Sequence, residues 1–231
     1  MIIKVALNGG RVEAPATPEE IASDVAACAA IGAIVFHVHA RDAMRRESLL
    51  PRDVDPVVAA IRARTPQASL GLTTGAWILP DVAARLDAIA AWRELPDFAS
   101  VNFDEDGCED VARLLVARGV AVEAGVLDVA STHRFFDADV PVLRVLIELQ
   151  EQQLDDALRA HDAIVEALGD HDGPRLLHGH AAMTWPLVEE AARRGYDTRI
   201  GLEDVATLPS GTPATNVELF TAALRIASGT R

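Results

Sequence analysis

Two histidines, His37 and His39, stand two residues apart at the end of an apolar run that begins at Ala33. The run is rich in β-branched residues, which predicts a strand buried on both faces. Side chains alternate across a strand, so both imidazoles project to the same side, and Arg41 and Asp42 then start a polar loop. The spacing therefore favours a metal site over one core histidine and one solvent-facing histidine.

The sharpest carboxylate partner for this pair is Glu203, which follows a predicted strand over residues 198–202. Two imidazoles and one carboxylate leave coordination positions open, as in catalytic sites for Zn²⁺ or another divalent first-row metal. Arg199 lies on the same strand, where it could orient an anionic substrate or pair with Asp204. Taken alone, Glu203 and Asp204 would fit equally well as loop acids that cap a turn.

The elements that must position these residues alternate between strands and helices. The predicted strands cover residues 2–7, the histidine pair, 69–73, 98–102, 121–127, 142–149, 176–179 and 198–202. The predicted helices cover residues 18–30, 54–64, 79–92, 108–118, 154–168, 185–194 and 216–227. Only a short irregular or helical piece, near residues 131–136, is predicted after the fifth strand.

Strict alternation implies a parallel sheet with helical crossovers, and eight such units in 231 residues predict a (β/α)₈ TIM barrel. We expect one α/β domain over residues 1–231, because no linker or repeat divides the chain. A doubly wound open sheet is the alternative. The turn Asn8-Gly9-Gly10 argues against it, because it lacks the GxGxxG pattern that cradles phosphates in such sheets.

The formal net charge of −14 argues against nucleic acid and against an anionic membrane surface as partners. Cys28 and Cys108 both fall in predicted helices, so neither a disulfide framework nor a Cys-rich zinc site is expected. The first residues predict a strand rather than a signal peptide, and no apolar run approaches the length of a membrane span. These features predict a soluble, cytoplasmic protein.

In a barrel of this type the chemistry takes place where the C-terminal ends of the strands meet. The polar residues at the predicted ends are Asn8, His37, His39, Thr73, Thr74, Asn102, Glu123, Glu148, His178, His180, Arg199, Glu203 and Asp204. His178 and His180 repeat the spacing of the first pair and could add a metal ligand, act as a general base, or lie at the rim without a role. We favour the last, because the glycine between them leaves their faces undetermined.

Several motifs together resemble the β-keto acid cleavage enzymes, whose type activity is 3-keto-5-aminohexanoate cleavage. The segments that carry the resemblance are Asn8-Gly9, Thr17-Pro18-Glu19-Glu20-Ile21, His37-Val38-His39-Ala40-Arg41-Asp42, Thr73-Thr74-Gly75, Arg199-Ile200-Gly201-Leu202-Glu203-Asp204 and Leu208-Pro209-Ser210-Gly211 with Asn216, Glu218 and Leu219. The resemblance runs from the first strand to the last helix. The HxHxRD and RxGxED motifs are specific in combination, although either alone would be weak.

The resemblance implies a zinc-containing barrel that exchanges acyl groups between a β-keto acid and acetyl-CoA, releasing acetoacetate and a new acyl-CoA. It implies that His37, His39 and Glu203 bind the metal. Arg199 and Asp204 correspond to the pair that positions the substrate and handles the proton, and Glu123 to an acid on the fifth strand. The substrate carboxylate would contact Thr73 and Thr74, with Asn8 and Asn102 nearby at the rim.

The chain departs from the family pattern at three places. Arg11 stands where the family usually has an acid that recognises the distal end of the substrate, which predicts a different side chain on the keto acid. The family's Gly-rich loop after the sixth strand, on the CoA-bearing side, is not recognisable in the polar segment 148–153. The chain is also shorter than typical members. Acetyl-CoA is therefore a possible partner, less firmly implied than the metal.

Two other hypotheses stay open. A metal-dependent hydrolase or lyase on the same barrel would use a metal-bound water as nucleophile, without CoA. HxH also occurs in amidohydrolases, although there the pair lies on the first strand rather than the second. A non-catalytic barrel would keep the site and only bind a ligand. In each case the resemblance and the apolar helices predict a homo-oligomer.

Overall fold

A computed structural model describes residues 1–229, which form a closed barrel of eight parallel strands in chain order. The strands are β1 (Ile3–Ala6), β2 (Val35–Val38), β3 (Ser69–Thr73), β4 (Phe98–Asn102), β5 (Ala121–Val126), β6 (Arg144–Leu149), β7 (Arg175–Gly179) and β8 (Asp197–Ile200). The helices are α1 (Pro18–Ala29), α2 (Pro51–Arg64), α3 (Val82–Ala90), α4 (Cys108–Ala117), α5 (Val129–Ala138), α6 (Leu154–Leu168), α7 (Thr184–Arg194) and α8 (Asn216–Ala227). The predicted (β/α)₈ barrel is confirmed.

Pairing between the first and last strands excludes the open sheet. Lys4 of β1 lies opposite Arg199 of β8, and the two strands are parallel. The barrel therefore has no exposed strand edge between its first and last strands. All strand C-termini point to one rim, which is where the sequence places the polar residues.

The structure corrects the prediction for the segment after β5, which forms a complete helix, α5, rather than a short piece. Asp128 caps this helix by accepting a hydrogen bond from the backbone N–H of Ser131, and the Ser131 hydroxyl accepts one from the backbone N–H of Asp128. This reciprocal cap has the geometry of a capping box but is built from aspartate and serine. A search for Ser or Thr followed by Glu or Gln does not find it.

Apolar side chains fill the layer between strands and helices, whereas charged side chains occupy part of the barrel interior. In α1, for example, Ile21, Val25 and Cys28 are fully buried. Inside the barrel, the buried carboxylate of Glu123 pairs with Lys4 and with Arg144. Within residues 1–229, no helix combines the length and apolar character that crossing a membrane requires.

Candidate functional site

The end of β2 is held so that both histidines face the barrel interior. His37 lies in β2 and His39 directly follows it. The Asn8 side chain extends the pairing of the first two strands, because its Nδ2 donates to the carbonyl of His39 and its Oδ1 accepts from the His39 N–H, both at 2.9 Å. Both the N–H and the carbonyl of His39 are therefore held in place, although His39 lies just beyond the strand.

The imidazoles of His37 and His39 converge with the carboxylate of Glu203. Their Nε2 atoms are 3.0 Å apart, and Glu203 Oε2 lies 3.8 Å from the first and 3.4 Å from the second. The two rings stand nearly perpendicular, at 81°. The predicted trio is therefore brought together, as two nitrogen ligands and one oxygen ligand around one point.

The chemistry of these donors fits a metal ion. His39 Nδ1 forms a short contact with a carboxylate oxygen of Glu47, which keeps a proton on Nδ1 and leaves the lone pair of Nε2 directed at the other histidine. The Oε2 atom of Glu203 is buried and has no hydrogen-bond partner. The two Nε2 atoms share a hydrogen bond, and a metal ion placed between the three ligand atoms would take over from its proton.

Electrostatics within the trio favour positive charge at this point, which a proton or a metal ion can supply. Burial alone would lower the pKa of His39, but Glu203 and Glu47 outweigh it and raise that pKa to about 9. Burial lowers the pKa of His37 well below its ordinary value. Burial opposes ionisation of Glu203, yet Arg199 and the histidines hold the pKa of its carboxyl well below the usual range. Glu203 is thus ionised and ready to bind a cation.

Two glycines allow the chain to pack this closely. Gly9 has φ +46°, and a Cβ there would come within 2.5 Å of Glu203 Cγ. A Cβ on Gly201 would lie 1.9 Å from the carbonyl oxygen of Ala6, where the end of β8 crosses β1. Both positions require glycine because backbone and side chains approach too closely for any larger residue.

Arg199 connects Glu203 to Asp204. Its Nη2 lies 2.6 Å from Asp204 Oδ1 and 3.0 Å from Glu203 Oε1, and all three side chains are largely buried. Burial would lower the pKa of this arginine, but the two carboxylates outweigh it and raise it. The guanidinium is permanently charged and fixed in direction, as the sequence suggested for the Arg199–Asp204 pair.

The trio opens into a cleft of about 340 Å³ at the C-terminal rim. His37, His39, Glu203 and Arg199 line it. A larger groove, of about 790 Å³, runs between α1 and the segment before α8. We place the candidate site in the smaller cleft, because His37, His39 and Glu203 lie there.

The chain matches the model of the beta-keto acid cleavage enzyme family over residues 1–230. It belongs to that family. A comparison with curated proteins found no match.

Among solved structures, the barrel superposes on ObcA in its ternary complex with a C4-CoA adduct and oxalate, with a TM-score of 0.69 and 19% sequence identity. The match covers 91% of this chain and 62% of the ObcA chain, so this family member spans less than two thirds of that protein's length. It also superposes on 3-dehydroquinate dehydratase from Geobacillus kaustophilus HTA426, with a TM-score of 0.65 and 11% identity over 98% of this chain and 90% of that one. At such identities these likenesses show the fold.

The other site residues predicted for this family member lie in three different surroundings. Thr73 and Asn102 line the cleft. Asn8 is occupied by the His39 backbone, and the Thr74 hydroxyl donates to the carbonyl of Ser100 at 2.7 Å. Glu123 is fully buried against Lys4 and Arg144 inside the barrel and does not line the cleft. Its predicted catalytic role stays a prediction.

Sequence reasoning missed Glu47 and Trp77. Residues 40–48 form a short hairpin, closed by a bridge between Arg41 and Glu47, and this returns Glu47 to His39. Trp77 stacks on His39 with ring centroids 6.3 Å apart, and its Nε1 donates to Glu47 Oε2. An acid eight residues beyond the second histidine, in the loop after the strand, was the available signal for Glu47.

Proposed function

We propose that this chain is a metal-dependent enzyme that cleaves β-keto acids, with zinc or another divalent first-row metal held by His37, His39 and Glu203. Family membership supports the class of reaction. The observation that carries the proposal is the convergence of three buried ligand atoms, one of which, Glu203 Oε2, has no other partner. A cation bound there supplies Lewis-acid polarisation of the substrate ketone.

The chain's own residues would position the substrate and stabilise charge. Arg199 reaches the cleft with its guanidinium already oriented by Asp204, so it can meet developing negative charge without reorganising. Asp204 would take part in proton transfer, and Thr73 and Asn102 would offer a hydroxyl and an amide to the substrate carboxylate. Thr74 and Asn8 would act indirectly, by holding the backbones of Ser100 and His39. For Glu123 we propose a positioning role inside the barrel.

As the specific reaction we propose retro-Claisen acyl exchange with acetyl-CoA, which gives acetoacetate and a new acyl-CoA. The ObcA complex with a C4-CoA adduct supports CoA as a reactant on this type of barrel. The ObcA complex with oxaloacetate supports a keto acid as the substrate. The segment between β6 and α6 is rich in glutamine and contains no glycine. CoA would therefore be held by contacts other than those of a Gly-rich loop.

The test is to incubate the zinc-loaded protein with acetyl-CoA and a panel of β-keto acids of different side chains. Acetoacetate is measured by a coupled assay and acyl-CoA by mass spectrometry. We expect both products in equal amounts, and neither after chelation of the metal or in an Arg199→Met variant. The exposed His133→Gln variant is the matched control and should retain turnover.

An arm without CoA separates this proposal from the hydrolase or lyase hypothesis. Consumption of the β-keto acid at the same rate without CoA would show that the metal activates water, and acyl exchange would be wrong. Absence of turnover with every keto acid, in protein that binds the metal, would contradict the reaction itself.

A further inference from the structure

A second group of metal-type ligands lies across the same cleft. Glu148 lies on β6, His178 on β7, and His180 directly after β7. Each offers a ligand atom, and these atoms lie within 4.8 Å of one another. We call these three residues the second cluster, and His37, His39 and Glu203 the first cluster.

The second cluster matches the first in its residue types and ring arrangement, although its carboxylate is already hydrogen-bonded to His180. Glu148 lies beside His178 in the parallel register of β6 and β7, so its carboxylate reaches both imidazoles. Its Oε1 is 2.9 Å from His180 Nε2, and its Oε2 is 3.3 Å from His178 Nε2. The ring centroids are 5.2 Å apart at an interplanar angle of 83°, against 4.9 Å and 81° in the first cluster.

His178 is a buried side chain of the second cluster without a hydrogen-bond partner. It is 1% exposed, and neither ring nitrogen makes a hydrogen bond of acceptable geometry. Leaving a buried imidazole without a hydrogen-bond partner is unfavourable. A cation held together with Glu148 and His180 would satisfy this ring.

The region around both clusters is rich in carboxylates. Four carboxylates contact the histidines or the arginine of the two clusters, and they belong to Glu47, Glu148, Glu203 and Asp204. Among the described residues that line the cleft, Arg199 alone carries a fixed positive charge. This concentration of carboxylates favours bound positive charge, whether it is carried by a metal ion or by protons on the histidines.

The second cluster also has an outer carboxylate. His180 Nδ1 lies 3.2 Å from Asp204 Oδ1, just as His39 Nδ1 contacts Glu47. A carboxylate behind a histidine fixes the ring and directs its other nitrogen to a metal. The backbone N–H of Ala181 donates to the Asp204 carbonyl, which anchors the end of β7 to the loop after β8.

We propose that Glu148, His178 and His180 form a second divalent-cation site of the same His₂Glu type, selective for zinc and similar first-row metals. The cleft would then hold two cations. The proposal concerns metal binding, and it stands whether or not the chain cleaves β-keto acids. It replaces the interpretation, favoured from the sequence, that His178 and His180 have no role.

The test is equilibrium dialysis of the metal-stripped protein against Zn²⁺, followed by elemental analysis. We expect two equivalents in the wild-type protein and one in each of the variants His180→Gln and Glu148→Gln. The control variant His133→Gln, which removes an exposed histidine far from both clusters in sequence, should keep two. Saturation of the wild-type protein at one equivalent would overturn the proposal, as would two equivalents in both cluster variants.

A Co²⁺ titration tests the site without relying on those variants. The d–d absorption of the wild-type protein should rise until two equivalents are bound. A His37→Gln/His39→Gln variant, shown to be folded by circular dichroism, should still bind one Co²⁺ through the second cluster. If that folded variant binds none, the second cluster is not a site.

Discussion

The first and second clusters have the same composition, two histidines at spacing two and one glutamate, but the fold holds them differently. The first takes its glutamate from the end of the chain, after β8, and has its second histidine fixed through the backbone by Asn8. The second takes its glutamate from the adjacent strand. Its outer histidine, His180, is 30% exposed and follows a glycine.

Ligand composition therefore does not by itself determine how well a site is preorganised. In the first cluster, His39 is the only histidine that Glu47 contacts, and its other oxygen accepts a hydrogen bond from Trp77. In the second, Asp204 is shared between His180 and Arg199. Rigid ligands lose less conformational entropy when a metal binds. An outer carboxylate that is not shared with another cation also stabilises its histidine–metal pair more strongly. We expect the first cluster to bind Zn²⁺ more tightly than the second.

The largest effect should come from removing a ligand of the first cluster. His39→Ala should abolish the tight metal site and lower turnover by about 10³-fold or more, because Lewis-acid catalysis contributes several kcal/mol. Metal content and kcat, measured on the same preparation, check this. Unchanged turnover in a variant whose first cluster binds no metal would contradict this prediction, because it would show that catalysis does not need a metal at the first cluster.

Arg199→Lys should have the next largest effect, because this arginine contacts the carboxylates of both Glu203 and Asp204. Lysine keeps the charge but loses the planar fork, so we expect kcat/KM to fall by about 10²-fold. Steady-state kinetics on the best substrate measure it. A loss confined to KM would indicate that the guanidinium only binds the ground state.

Glu47→Gln separates the two clusters directly. It removes the charge behind His39 and should weaken Zn²⁺ binding at the first cluster by about 10–100-fold. Affinity at the second cluster should not change, because Glu47 contacts neither His178 nor His180. Competition with a chromophoric chelator resolves the two affinities. Equal weakening of both would contradict the assignment of separate outer carboxylates.

Trp77→Phe should have the smallest effect. Phenylalanine keeps an aromatic ring over His39 but removes the Nε1 donor to Glu47. The loss of one partly exposed hydrogen bond, about 1 kcal/mol, predicts an approximately fivefold weaker first site. The same chelator competition measures it, and an effect larger than that of Glu47→Gln would contradict the order of contributions.

Much of the fold follows from sequence pattern because it depends on local periodicity. β3, β4, α6 and α8 have the predicted bounds, and the barrel follows from regular alternation. The helix after β5 was underestimated because its aspartate–serine cap is uncommon. The His37–His39–Glu203 trio was within reach, because all three residues end parallel strands that meet at one rim.

The sequence does not determine how deep a side chain lies inside the barrel, or how neighbouring strands are aligned with one another. Alternation places Glu123 inside the barrel but does not show that Lys4 and Arg144 meet it there. Glu148 and His178 were each predicted at the rim, but their contact depends on the register of β6 against β7. Asn8 was predicted to bind the substrate, and its hydrogen bonds to the His39 backbone could not be foreseen, since only the assembled strands show which backbone it faces.

The central claim is that His37, His39 and Glu203 hold a catalytic cation. The most direct test is anomalous diffraction at the zinc absorption edge from crystals of the zinc-loaded protein. The account predicts a strong peak with His37 Nε2, His39 Nε2 and a Glu203 oxygen about 2.0–2.2 Å away. The absence of a peak at that position, in protein that turns over fully, would contradict it.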